Sequence, residues 1–240
     1  MRIRVLSGPD ALAEMAATTI AGLLANSPTP RADLALSGGS TVRGTYSRLV
    51  EEDVAWDRVD PWLCDERWVP HDHPESNGRM IEEILTGRLP ARLLRPDYAP
   101  DLDPHDSASR YEEAIRQVIP DEGGSLRPHL AVLGVGDDGH TASCFPGNDA
   151  LEERERIYIA SWVSALAAWR LTSTVPLLHA TRHLVFLVAG SGKAEAVAAF
   201  LEGEGDPVPA RIVADGAEDV TVLLDVAAAE RLTGTGYERI

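Results

Sequence analysis

The chain has 240 residues, 44% of them hydrophobic, which suffices for one large core and at most a small appendage. A formal charge of −16 disfavours polyanionic partners, so nucleic acid and an anionic membrane surface are set aside; a small anion, held by a few local cations and backbone N–H groups, is not excluded. Two cysteines, Cys64 and Cys144, are too few for a disulfide framework and lack zinc-ribbon spacing, so they read as small buried residues. The opening MRIRVLSGPDAL has no apolar run fit for a signal peptide, and no segment approaches the roughly 20 apolar residues of a membrane span, so the expected location is the cytoplasm.

In chain order, Arg2 to Leu6 reads as a first strand. Asp10 is then placed to cap a helix whose apolar stripe is Leu12, Met15, Ala16, Thr19, Ile20, Leu23 and Leu24. Leu34 to Leu36 is a short buried strand that ends in Ser37-Gly38-Gly39-Ser40-Thr41, and Val42 to Val50 follows as a helix. The same grammar continues with Val59 to Cys64 as a strand, with Leu130 to Val135 running into Gly136, and with His183 to Ala189 running into Gly190-Ser191-Gly192-Lys193 and an alanine-rich helix. Such alternation predicts a mostly parallel sheet covered on both faces. Pro90 to Pro104 reads as a surface connection, Ile157 to Trp162 and Val220 to Leu224 as strands, Ala227 to Leu232 as a short helix, and Thr233 to Ile240 as a tail. No boundary is drawn: residues 1–240 are expected to form one domain.

Four segments can carry chemistry. The turn Ser37 to Thr41 offers free N–H groups at a helix start and two hydroxyls, a cradle for phosphate, or equally an ordinary turn with Ser40 as the helix cap. Gly190-Ser191-Gly192-Lys193 puts a cation at a helix start, where the macrodipole does not favour it. It is not a Walker A loop, because position 187 is Leu187 rather than glycine and position 194 is Ala194 rather than Ser or Thr. Cys64-Asp65-Glu66-Arg67-Trp68 ends another strand with an arginine able to grip a phosphate or carboxylate, and Asp65 and Glu66 are placed to hold it. Downstream, Ser76-Asn77 either caps the helix Gly78 to Leu85 or touches a sugar hydroxyl, capping being the plainer reading.

The fourth segment, Gly134-Val135-Gly136-Asp137-Asp138-Gly139-His140, matches G-x-G-x-x-G but not its dinucleotide use. Two carboxylates would face the pyrophosphate, and no acidic residue for the ribose follows the next strand. What remains is a tight turn at the carboxyl end of a strand that presents Asp138 and His140, a base and a partner that fixes its tautomer. Cys144, four residues on, is a possible Cys-His partner. His71-Asp72-His73 has metal-binding residue types but no third ligand.

Assembled in order, LALSGGST (34–41), DERWVP (65–70), SNGRM (76–80), LGVGDDGHTASCFPG (133–147), RLT (170–172) and FLVAGSGKAEAV (186–197) resemble the 6-phosphogluconolactonases. These lie within the broader group that includes the glucosamine-6-phosphate deaminases. The resemblance implies a three-layer α/β/α fold with a Rossmann-like sheet, of the kind found in deaminases, ribose-5-phosphate isomerases and CoA transferases. It also implies no cofactor, and a small sugar-phosphate lactone as the substrate. The implied reaction is hydrolysis of 6-phospho-D-glucono-1,5-lactone in the oxidative pentose phosphate pathway. His140 and Asp138 are the implied catalytic pair, and Gly38, Gly39, Ser40, Thr41, Asp65, Arg67, Gly136, Arg170 and Lys193 the substrate or phosphate contacts.

The chain departs from that pattern at Ser164 to Trp169, where lysine and prolines are usual, at His179, where asparagine is commoner, and at Cys144, which replaces a leucine. The deaminases place a glutamate five residues after the histidine to assist ring opening; here that residue is Phe145, which favours the lactonase over the deaminase reaction. A non-catalytic sugar-phosphate sensor is the remaining alternative, and the presence of both Asp138 and His140 speaks against it.

Overall fold

The protein is described by a computed structural model of residues 1–240. β1 (Arg2–Leu6) falls where it was predicted and leads into α1 (Pro9–Ala25). Asp10 does not cap this helix. Gly8 takes that position, Pro9 follows it where an N–H would lack a partner anyway, and Asp10 lies in the first turn, near the positive end of the helix. Leu12, Ala16, Ile20 and Leu24 are buried as read, joined by Ala13, Ala17 and Ala21, while Met15, Thr19 and Leu23 are only half-buried.

The chain continues through β2 (Ala32–Leu36), α2 (Ser40–Leu49), β3 (Val59–Leu63), β4 (Asp65–Arg67), α3 (Asn77–Ile84), α4 (Pro104–Arg116) and β5 (Leu130–Leu133). A short α5 (Asp149–Glu152), β6 (Tyr158–Val163), β7 (Ala168–Ser173) and α6 (Val175–Ala180) follow. The last elements are β8 (His183–Val188), α7 (Ala194–Glu202), α8 (Pro209–Asp215), β9 (Asp219–Asp225) and β10 (Glu238–Arg239).

Seven strands form one sheet in the order β10-β1-β9-β8-β5-β2-β3, parallel throughout. Every residue of β2 and β5, and all but the first of β8 and β9, is buried. Continuous burial of this kind requires cover on both faces, as the sequence pattern implied. α1 and α2 pack on each other and against β8, and α8 neighbours both α6 and α7, with Phe200 of α7 lying 5.1 Å from Phe186 of β8. The fold is the expected three-layer α/β/α arrangement. One apolar cluster of 60 buried residues runs through it from Val5 to Leu232.

A second, antiparallel sheet, β4-β7-β6, stands apart from the first. The predicted strand at Ile157 to Trp162 is β6 of this small sheet, not a member of the parallel one. Two further expectations are corrected near the carboxyl end. Ala227 to Leu232 forms turns rather than a helix, because the Asp225 carboxylate accepts the Ala228 N–H at 2.7 Å and closes the chain locally. The expected tail docks instead: Thr233 and Gly234 donate backbone N–H groups to Glu202, and β10 pairs with β1 through Arg4 and Val5. At the opposite edge, Leu94 of the proline-rich connection lies against β3, donating to the Pro61 carbonyl at 2.8 Å.

Beneath the sheet centre, the fully buried Asp33 of β2 accepts from the Trp62 indole at 3.2 Å and from the His129 backbone N–H at 2.9 Å. Burial outweighs both donors and pushes its carboxyl from 3.8 up to about 7. The folded protein therefore binds a proton that the unfolded chain has already released between about pH 4 and 7, and stability falls as pH rises through that window. Urea unfolding from pH 4 to 8 should show this decline, worth at most about 4 kcal/mol, and Asp33→Asn should flatten it. Equal slopes for the two proteins would remove Asp33 as its source.

Candidate active site

β2, β5 and β8 are neighbours in the sheet, and all three carboxyl ends face the same side. After β2 the chain moves outward to β3; after β5 it moves the other way to β8. The loops part at that reversal and leave a crevice, the position where open parallel sheets hold ligands. A cleft of about 480 Å³ opens there. His140, Asp138 and Gly136 border it, as do the turn Gly38 to Thr41, Asp65, Arg67, Arg170 and Lys193, so the residues chosen from the sequence converge on one place.

On the β2 side, Gly39 rather than Ser40 stands at the cap of α2, and no side chain caps the helix. Ser40 is the first helical residue, and the orphan N–H groups of the first turn are left for a ligand. Gly38 has a steric reason to be glycine: a Cβ there would lie 1.8 Å from Oδ1 of Asn77. Asn77, expected with Ser76 to cap a helix or touch a sugar hydroxyl, is buried against this turn, donates to the Asp65 carbonyl at 2.9 Å and lines the cleft. Ser76 is the cap of α3, its hydroxyl accepting the Arg79 N–H at 3.1 Å.

Glu66 does not pair with the Arg67 side chain as expected. Its buried carboxylate accepts backbone N–H groups from Arg67 and Asn77 at 2.7 Å and Gly78 at 2.8 Å, and the Ser76 hydroxyl at 2.9 Å. Burial raises its pKa even against these donors. Asp65 is likewise engaged elsewhere, accepting the Ser143 hydroxyl at 2.8 Å. Both guanidinium groups of the site are thus left without a carboxylate. Arg67 donates to the Glu75 carbonyl at 2.6 Å and Arg170 to the Trp169 carbonyl at 3.1 Å.

Arg67 and Arg170 face each other in register across β4 and β7. Like charges directly opposite are unfavourable on a sheet, and burial together with Arg67 depresses the Arg170 pKa. An anion placed between them would relieve both costs. The unusual segment Ser164 to Trp169 does not displace Arg170. It forms the β6–β7 hairpin, turning at Ala167 with φ 47°, and the strand register fixes the arginine.

From β5, the loop brings Asp138 Oδ1 to within 2.5 Å of His140 Nδ1 and 3.0 Å of the His140 backbone N–H. Partial burial alone would raise the Asp138 carboxyl, but these donors prevail and hold it below the ordinary carboxylate range. An ionised Asp138 fixes the proton on Nδ1, which leaves Nε2 as the basic nitrogen. Gly136 closes the turn, donating to the His140 carbonyl at 2.8 Å; a Cβ on it would lie 2.1 Å from the imidazole. Lys193, in the turn between β8 and α7, is not a free lysine: its Nζ lies 2.5 Å from Asp137, the exposed neighbour of Asp138.

The other sequence candidates fall outside the site. Cys144 does not pair with His140. It is fully buried, donates to the Ser173 carbonyl at 3.5 Å, and burial pushes its thiol up to about 12, so no nucleophilic thiolate forms there. His71 bonds the Pro96 carbonyl while His73 accepts from the Glu75 N–H, so the two imidazoles serve different local contacts. His179 ties α6 to α8 through the Ile212 carbonyl at 2.9 Å, a structural use of that departure.

Residues 7–222 match the family described as glucosamine-6-phosphate isomerases/6-phosphogluconolactonase. The chain belongs to that family. It is similar to the 6-phosphogluconolactonase of Synechocystis sp., with 36% identity over 83% of this chain and 84% of that protein, and to the human 6-phosphogluconolactonase, with 36% identity over 93% and 89%. Among solved structures it superposes on 6-phosphogluconolactonase from Trypanosoma cruzi with a TM-score of 0.84 and 29% identity, covering 97% of each chain. A monomeric glucosamine-6-phosphate deaminase shares the fold, with a TM-score of 0.81 at 22% identity over 96% of this chain and 99% of that one.

The Gly136 contact makes this region testable without touching the imidazole itself. Gly136→Ala should displace the His140 ring and lower kcat by about a hundredfold, the scale expected when a reacting group is misplaced by an ångström. Turnover close to that of the parent protein would show that the loop absorbs the extra carbon.

Proposed function

We propose that the protein hydrolyses 6-phospho-D-glucono-1,5-lactone to 6-phosphogluconate in the oxidative pentose phosphate pathway, with the whole chain acting as one catalytic unit. The observation that carries this reading is the His140 imidazole, held at Nδ1 by Asp138 and lining the cleft with an Nε2 that has no protein partner. Kinship with lactonases over nearly the full chain supplies the substrate class. A fitting detail is Phe145, which stands where an isomerising deaminase would need a second carboxylate.

In the proposed step, Nε2 of His140 takes a proton from water as the water oxygen bonds to the lactone carbonyl carbon. The carbonyl oxygen becomes an oxyanion, stabilised by loop N–H groups. The tetrahedral intermediate then collapses, the bond to the ring oxygen breaks, and the departing oxygen receives the proton from the imidazolium. No covalent enzyme intermediate is needed. Asp138 acts as a positioning residue, keeping the tautomer and offsetting the transient positive charge. The distant phosphate contributes binding energy through the α2 turn, the Arg67–Arg170 pair and Lys193, which must give up Asp137 to reach it.

Purified protein supplied with 6-phosphogluconolactone should release acid well above the spontaneous rate, and His140→Ala should lower kcat by about a hundredfold or more. Unchanged turnover in that variant would refute the base, and turnover of glucosamine 6-phosphate in place of the lactone would refute the reaction. Arg170→Ala, which removes charge-assisted bonds to the phosphate, should raise KM about tenfold or more with a smaller change in kcat. A KM equal to that of the parent would move the phosphate away from the arginine pair.

A further inference from the structure

The imidazole of His140 is constrained on three sides, two of which owe nothing to Asp138. A Cβ built on Gly136 would lie 2.1 Å from both Cε1 and Nδ1 of the ring and 2.8 Å from Cγ. A point in the plane of the ring, that close to Cε1 and Nδ1, would be much farther from Cγ, so Gly136 sits over one face of the imidazole. The phenyl ring of Phe145 is stacked on His140, with centroids 4.0 Å apart and planes inclined by 29°. Two groups in such contact cannot share a face, so the imidazole lies between Gly136 and Phe145.

Phe145 is itself firmly placed. Its neighbour Cys144 is buried and bonded to Ser173, its own carbonyl accepts the Asn148 N–H at 3.2 Å, and Pro146 restricts the backbone that follows.

We propose that Phe145 is a positioning residue that, with Gly136, clamps the faces of His140 so that the ring exchanges protons only through Nε2, directed into the cleft. The inference rests on the lactonase reading above for its kinetic consequence, but not for its geometry. A single bond from Nδ1 to Asp138 fixes the tautomer and leaves the ring free to tilt about that bond; the sandwich removes the tilt. The phenyl face also attracts the imidazolium that forms when water is deprotonated, more than it attracts the neutral ring. Both effects act on the step that moves the proton, and neither contributes to holding the phosphate, so they belong in kcat rather than KM.

Phe145→Leu and Phe145→Tyr test the clamp. Leucine keeps apolar bulk but offers no flat face, whereas tyrosine keeps the face, and the partly exposed position leaves room for a hydroxyl. Phe145→Leu should lower kcat about tenfold with KM within about twofold of the parent, and Phe145→Tyr should leave both within about twofold. In parallel, the Cε1 proton of His140, observed by NMR, should be shifted upfield by the phenyl ring current in the parent and in Phe145→Tyr, and should lose that shift in Phe145→Leu. Full kcat in Phe145→Leu, or the same His140 shift in Phe145→Leu and the parent, would overturn the proposal. The NMR comparison needs no turnover, so a protein inactive on the lactone would sink the proposed function while leaving the clamp open to its own test. If the leucine variant does not fold, the parent spectrum decides alone: an upfield His140 resonance supports the clamp and a random-coil position rejects it.

Discussion

The reversal of the chain between β2 and β5 is the constraint on which the cleft depends. Adjacent parallel strands normally crowd their following loops together, but here one continues toward β3 and the other toward β8, so their loops diverge and leave a crevice between them. The glycine turn before α2 forms one wall and the Asp138–His140 turn the other. β8, next to β5, delivers Lys193 to the same rim. Without that reversal the α2 turn and the Asp138–His140 turn would not face each other across one cleft.

The small antiparallel sheet supplies what the parallel one lacks. In a chain carrying an excess of acidic residues, the small sheet keeps two guanidinium groups away from the neighbouring carboxylates. Glu66 and Asp65 lie next to Arg67 in sequence yet are turned toward backbone N–H groups and a serine hydroxyl. The positive charge is thus held ready by engaging its nearest counterions elsewhere, a form of pre-organisation that lowers the cost of binding.

Much of this was legible in the sequence, and the illegible parts have physical reasons. The buried strands β2, β5, β8 and β9 announce themselves as short, mainly apolar runs, interrupted at Asp33 in β2 and Thr221 in β9, and most of the motif residues lie in the turns that follow them. Helix α4 escaped notice because its buried face includes Ser107 and Glu112 beside Tyr111 and Ile115, so its apolar period is broken; Glu112 is tolerated there by pairing with Arg116 and Arg156. Strand β7 shows no alternation, being half-buried at Ala168 to Arg170 and buried from Leu171 to Ser173. The facing of Arg67 and Arg170 depends on register between distant segments, which a single sequence does not encode in any local pattern. The alanine run after β9 has strong helical propensity, but a contact with Asp225 outweighs it.

The edges of the seven-stranded sheet bear on how the protein behaves in a crowded solution. A parallel sheet ending in a bare, flat strand would offer a row of unpaired N–H and C=O groups to any other chain with similar strands. At one side β1 is covered by β10, a strand of only two residues, both charged, too short and too polar to template further pairing. At the other, β3 carries Pro61, which has no N–H to donate, and the Leu94 segment lies along it. The segment that reads as a dangling tail and the one that reads as a mere connection both serve as caps against edge-to-edge association. Loosening either would first appear as aggregation, ahead of any change at the distant cleft.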